Sequence, residues 1–127
     1  MEQSKKTPRI VLEKGRILII GRSISENPGE LYRPVHEWVI SYLNDLPEMT
    51  EIRLGFEFIN TTSIKWIYAI LKELGRMPDM PAKARVTWYY EEGDEDMCDL
   101  GFILRSLVDC PFHIMEVDDF AKFKFPE

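Results

Sequence analysis

Apolar and polar positions alternate at the start of the chain and then change period. Residues 9–13 (RIVLE) and 16–23 (RILIIGRS) are two runs rich in β-branched residues, separated by Lys14-Gly15. That spacing predicts a β-hairpin. A loop follows at 24–30 (ISENPGE), broken by Pro28 and Gly29. From Glu30 the apolar residues Leu31, Val35, Trp38, Val39, Tyr42, Leu43 and Leu46 recur at helical spacing and stop before Pro47, so an amphipathic helix is predicted there. Residues 51–60 (EIRLGFEFIN) alternate again. Ile52, Leu54, Phe56 and Phe58 form one face; Arg53, Gly55 and Glu57 form the other. A second helix is predicted over 62–75, with Ile64, Ile67, Tyr68, Leu71 and Leu74 inward and Gly75 as its stop. Residues 78–83 read as a loop. In the strand at 84–92, Ala84, Val86, Trp88 and Tyr90 oppose Arg85, Thr87, Tyr89 and Glu91. A third helix over 95–109 turns Leu100, Ile103, Leu104, Leu107 and Val108 inward, and 112–117 (FHIMEV) is a last strand. The tail DDFAKFKFPE places three Phe among charges, as a short helix or an extended arm docked on the body.

The predicted order is β-β-α-β-α-β-α-β. Strands joined through helices become parallel neighbours, whereas the tight turn makes the first pair antiparallel. A sheet covered on both faces has near-continuously apolar strands. Here two strands have a polar face, which predicts a two-layer α/β sandwich: a mixed, mostly parallel sheet with helices mainly on one face. The 127 residues suit one domain, 1–127, with 1–8 as a loose N-terminal leader.

Composition narrows the function classes. With 45% hydrophobic residues the chain can build a core. It lacks an apolar run long enough to span a bilayer and an apolar segment behind Lys5 and Lys6, which excludes a membrane span and a secretory signal and predicts a cytoplasmic location. The net charge is −6 and the basic residues are scattered, against the concentrated positive footprint of a nucleic-acid binder. Cys98, Cys110, His36 and His113 follow no ligand spacing, so no metal or cofactor is expected. P-loop, GxGxxG and GxSxG patterns are absent, and nothing positive supports an enzyme.

One stretch stands out. FINTTSIKW (58–66) puts Thr61, Thr62 and Ser63 in a row between a strand and a helix. One of Asn60, Thr61 or Thr62 caps the helix, accepting from its free first-turn N–H groups. The remaining hydroxyls lie where strand carboxyl ends meet helix N-termini, the usual place for working residues in open α/β folds. A phosphate there is compatible with the fold, because the helix N-terminus carries partial positive charge and spare donors.

Three stretches resemble a known family. INTTSIKWI is similar to the motif LNTSSIK of the SiaC-family regulatory phosphoproteins, which have a STAS-like fold. GRSISENPGELYRPVHEWV is similar to that family's segment ahead of a Trp-bearing helix, and VTWYYEEGDEDM to its Val-x-Trp-x-Tyr strand. The resemblance runs from about Arg16 to Val117. It implies a non-catalytic bacterial signalling protein, phosphorylated by a partner Ser/Thr kinase and dephosphorylated by a PP2C-type phosphatase. Unphosphorylated, it would bind and activate a downstream effector, a diguanylate cyclase in the best-known members. The family's phosphoacceptor falls on Thr61. The departure is Thr62, where the family has Ser, and it leaves Thr62 and Ser63 as alternative acceptors.

Asn60, Lys65 and Trp66 at the junction, with Ser23, Glu26 and Asn27 in the first strand-to-helix loop, are the expected partner-binding residues. Trp66 and Ile70 lie off the predicted core stripe of the second helix, which makes them a docking spot, or else marks the stripe as broad and both as buried. Two rival readings are an anti-sigma-factor antagonist and a small-molecule-binding domain or enzyme.

Overall fold

The computed structural model describes residues 4–45, 47 and 49–125; Leu46, expected at the end of the first helix stripe, lies outside them. The elements in chain order are β1 (Arg9–Glu13), β2 (Arg16–Ser23), α1 (Pro28–Tyr42) with a 3-10 turn over Leu43–Asp45, β3 (Thr50–Ile59), α2 (Thr61–Gly75), a short α3 (Met80–Lys83), β4 (Ala84–Glu91), α4 (Glu95–Arg105) and β5 (Phe112–Val117). The five strands form one sheet in the order β1-β2-β3-β4-β5, with β1 antiparallel to β2 and the rest parallel. The hairpin turns at Gly15, whose φ of 83° suits glycine. This is the predicted order and pairing. The one added element is α3, built in the expected 78–83 loop with Pro81 in its first turn, where a missing N–H costs little.

The helices share one face of the sheet. Ile17 and Ile19 of β2, Ile52, Leu54 and Phe56 of β3, and Val86 and Trp88 of β4 meet Tyr32, Val35 and Val39 of α1, Ile67, Ile70, Leu71 and Leu74 of α2, and Leu104 of α4 in one core. The opposite face is not polar as the alternation predicted. Tyr89 is 2% exposed and Thr87 7%. Leu18, Ile20, Tyr89 and Val117 form a second, smaller core with Val11, Phe120 and Phe125 against it. The tail makes this layer. Phe123 and Phe125 pack on Tyr89 at ring-centroid distances of 5.8 and 4.9 Å, and the Phe120 N–H donates to Glu91 Oε2 at 2.9 Å. A strand whose outward residues read as polar is thus roofed by phenylalanines about thirty residues downstream.

Two helix faces are rotated from expectation. On α2 the buried residues are Ser63, Ile67, Ile70, Leu71 and Leu74, while Tyr68 is 41% exposed. On α4, Gly101 and Leu104 are buried and Ile103 is 61% exposed. The cause on α4 is Trp88. Its indole Nε1–H donates to the Met97 carbonyl at 2.8 Å, and a Cβ on Gly101 would lie 2.5 Å from the ring. The helix therefore sits with its glycine on the tryptophan.

Candidate functional site

The junction is built by β3, α2 and the loop after β2. Asn60 is the N-cap of α2, with extended backbone angles (φ −86°, ψ 164°), and its Oδ1 accepts the Ser63 N–H at 2.9 Å. Its Nδ2 donates to the Ser25 carbonyl at 3.0 Å and its backbone N–H to the Ser23 carbonyl at 2.9 Å. Of the three candidate caps, then, Asn60 is the one used. It both opens the helix and straps the β2–α1 loop to it.

The three hydroxyls behind Asn60 have different surroundings. Thr61 and Thr62 are exposed as the first two helical residues. Their N–H groups have no intrahelical acceptor before them. Ser63 points the other way. It is 0% exposed, and its Oγ has no hydrogen-bond partner among the described residues. Along the outer face of α2, Thr61, Lys65, Tyr68 and Lys72 follow at helical spacing, all exposed, with the Lys72 ammonium 5.8 Å from the Tyr68 ring centre.

The other expected contact residues divide. Glu26 and Asn27 are exposed. Asn27 is the N-cap residue of α1 but makes no side-chain cap bond; its N–H donates to Ser25 Oγ at 3.1 Å. Ser23, expected to face a partner, is internal. It is 1% exposed and its Oγ shares a 2.5 Å hydrogen bond with the Tyr32 hydroxyl. Burial pushes the Tyr32 phenol up to about 12, and the Ser23 bond opposes that. Trp66 is half-buried between the helices, 6.1 Å edge-on from His36 and 5.8 Å from the Arg33 guanidinium. It closes the α1–α2 seam. Ile70 is 4% exposed and belongs to the core, which removes it as a docking residue.

Two apolar residues beside the junction were not singled out by sequence. Phe58 is 54% exposed and Ile24 37%. Phe58 was expected inward with Phe56. Between them the β2–β3 register shifts: Gly21 pairs with Phe56 and Arg22 with Phe58, so Glu57 is an extra residue. The bulge re-aims Phe58 outward. Arg22 then lies 5.4 Å over its ring and donates to both Glu57 oxygens at 3.1 Å. The result is an exposed threonine at a helix N-terminus, fixed by the Asn60 cap, with exposed Phe58 three residues before it in the chain. Such an arrangement can accept a charge on its surface without disturbing the core.

A model described as SiaC family regulatory phosphoprotein matches residues 1–117. The chain belongs to the SiaC family. An uncharacterized protein of Pseudomonas aeruginosa (strain UCBPP-PA14) is 30% identical over 107 residues, covering 84% of this chain and 85% of that protein. Among solved structures, SiaC of Pseudomonas aeruginosa superposes with a TM-score of 0.81 at 28% identity, over 92% of this chain and 96% of that one. The structure of the diguanylate cyclase SiaD in complex with its activator SiaC, from the same organism, gives 0.81 at 29% identity, over 91% and 96%. The SiaC fold is therefore the fold of this chain, sheet and helices alike. No described helix is long and apolar enough to cross a membrane.

Proposed function

We propose that this SiaC-family protein is a non-catalytic cytoplasmic switch. A Ser/Thr kinase adds a phosphate to Thr61, a PP2C-type phosphatase removes it, and the unphosphorylated form binds and activates a diguanylate cyclase. The observation that carries the reading is the position of Thr61. It is the first helical residue after the Asn60 cap and is open to solvent in a family of regulatory phosphoproteins. The cyclase as effector rests on the relative that activates one in complex, and this favours the cyclase over an anti-sigma factor.

The physical argument has two parts. The phosphate is tolerated because the open N–H groups and the helix dipole favour negative charge at this end. It is disruptive to a partner because it adds about −1.5 to −2 charges to a junction whose preceding strand and loop carry exposed Phe58 and Ile24. An effector packed on those side chains would have to desolvate the phosphate. Thr62 shares the exposure of Thr61. Ser63 does not, since a kinase would have to unwind the first turn to reach its buried hydroxyl.

The test is binding of a family diguanylate cyclase to Thr61→Ala and Thr61→Glu, with phosphosite mapping after treatment with the kinase. Thr61→Ala is expected to bind like the wild type, and Thr61→Glu at least about tenfold more weakly, a difference of about 1.4 kcal/mol. Equal affinity of the two variants, or a phosphate mapped to Ser63, would overturn the reading.

A further inference from the structure

The face of the sheet away from the helices carries a cleft that the Thr61 switch does not use. It has a volume of about 750 Å³ and lies between β1, β2, the end of β3, residues 4–5 and the tail. Pockets for small organic ligands span roughly 300–1,000 Å³. The floor is Leu18 and Ile20. One wall is aromatic: Phe120, Phe123 and Phe125 pack edge-on, with Phe123–Phe125 at 4.8 Å and Phe120–Phe125 at 5.3 Å, and Phe123 stays 37% exposed.

The charge of the rim is opposite to that of the molecule. Lys5, Arg9, Arg22 and Lys124 line the cleft with a single acid, Glu57, among its described residues. Both Glu57 oxygens are already occupied by Arg22. Arg22 and Glu57 thus neutralise each other, and the cleft keeps the exposed ammonium groups of Lys5 and Lys124 in a chain of net charge −6. A concave surface of one sign beside low-dielectric walls concentrates counter-ions of the other sign.

We propose that this cleft binds a small organic anion made of a flat aromatic ring and a phosphate, the chemistry of a nucleotide. The ring stacks on the Phe123 side of the aromatic wall, because rings offer broad faces to a planar base whatever its identity. The phosphate lies toward Lys5 and Lys124, two exposed ammonium groups able to turn toward it. Binding holds the tail on the sheet, since the tail supplies the wall. Residues 118–125, which supply the aromatic wall, lie beyond the segment matched by the family model, whereas the floor and the remaining rim lie within it.

The experiment is a titration of the full chain with AMP, GMP, inorganic phosphate and laurate, followed by calorimetry and by NMR of the Phe123, Phe125 and Leu18 signals. A purine monophosphate is expected to saturate at or below roughly millimolar concentration and to weaken as salt rises from about 50 to about 300 mM. Lys124→Glu, at an exposed side chain, is expected to weaken it at least about fivefold with the melting temperature unchanged, and Phe123→Ser, which also removes a ring packed on Tyr89 and Phe125, to weaken it as much with a lowered melting temperature. Inorganic phosphate alone is expected to bind more weakly than either nucleotide. No saturable shift with either nucleotide, binding indifferent to both variants, or laurate binding more tightly than the nucleotides would overturn the proposal. The outcome is separable from the Thr61 reading, because neither variant touches the junction.

Discussion

Asn60 does the most local work in the molecule. Its side chain satisfies one first-turn donor of α2 and holds the Ser25 carbonyl, and its own N–H and C=O continue the chain into strand and helix. Asn60→Ala is expected to lower stability by about 1–2 kcal/mol in a denaturant melt, the usual cost of losing a cap together with one more hydrogen bond. Asn60→Asp keeps the cap acceptor but loses the donor to Ser25, so its loss is expected to fall between wild type and alanine. Tyr32 provides a pH signature. Its phenol titrates near 12 in the folded protein because it is buried, against about 10 when unfolded. A raised acid pKa means that the unfolded state releases its proton first. The contribution is complete below about pH 10 and is lost between pH 10 and 12, by at most about 3 kcal/mol. The stability difference between wild type and Tyr32→Phe is therefore expected to shrink over that window and to be flat from pH 7 to 9, as read from denaturant midpoints. That asparagine was a capping candidate is plain from its place before the helix. That Ser23 is spent internally on Tyr32 is not, because the two meet only when α1 lies across the end of β2.

At the level of elements, the periods predicted each helix and strand, but not always the face it buries. On α2 the expected stripe began at Ile64 and included Tyr68. The real one begins at Ser63 and includes Ile70. A buried serine carries no apolar signal, so the apolar pattern places the stripe about one residue around the helix from where it lies. On α4 one of the two buried positions is a glycine, which the pattern cannot weigh at all. Gly101→Ala tests the cause. Alanine gains about 1 kcal/mol of helix propensity, but its Cβ would meet the buried Trp88 ring at 2.5 Å. The ring is rigid and 0% exposed. Overpacking at such a contact costs more than the propensity returns, so a net loss of about 1–3 kcal/mol is expected in a thermal or denaturant melt, with a shift in Trp88 fluorescence. The bulge at Glu57 is the third case. Nothing in EIRLGFEFIN announces it, yet it turns Phe58 from the core to the surface.

Across the whole molecule, the sheet has two unequal partners. The helices cover one face with a large core, and the phenylalanine tail covers the other with a small one. A chain ending at Val117 would bare Leu18, Ile20 and Tyr89. It is expected to fold, since the larger core is intact, but to lose roughly 2–4 kcal/mol and to bind a hydrophobic dye that the full chain does not. A melting temperature equal to that of the full chain would mean that the tail is not docked in solution. The two faces also separate two tasks: the junction with Thr61 lies at the strand carboxyl ends, while the cationic cleft lies under the tail.

The sequence by itself determined the order of elements, the hairpin, the parallel crossovers and the hydroxyl-bearing junction at residues 60–63. Each of these follows from local period, turn chemistry and chain connectivity, which act between near neighbours. The tertiary structure alone decided which threonines stay open while Ser63 is buried, how α2 and α4 are turned, where Phe58 points and what roofs Tyr89. Those outcomes depend on contacts between residues far apart in the chain, such as Trp88 under Gly101 with Met97 above it, or Tyr89 beneath Phe125. A pattern read along one strand or one helix carries no information about the side chain that will meet it from another.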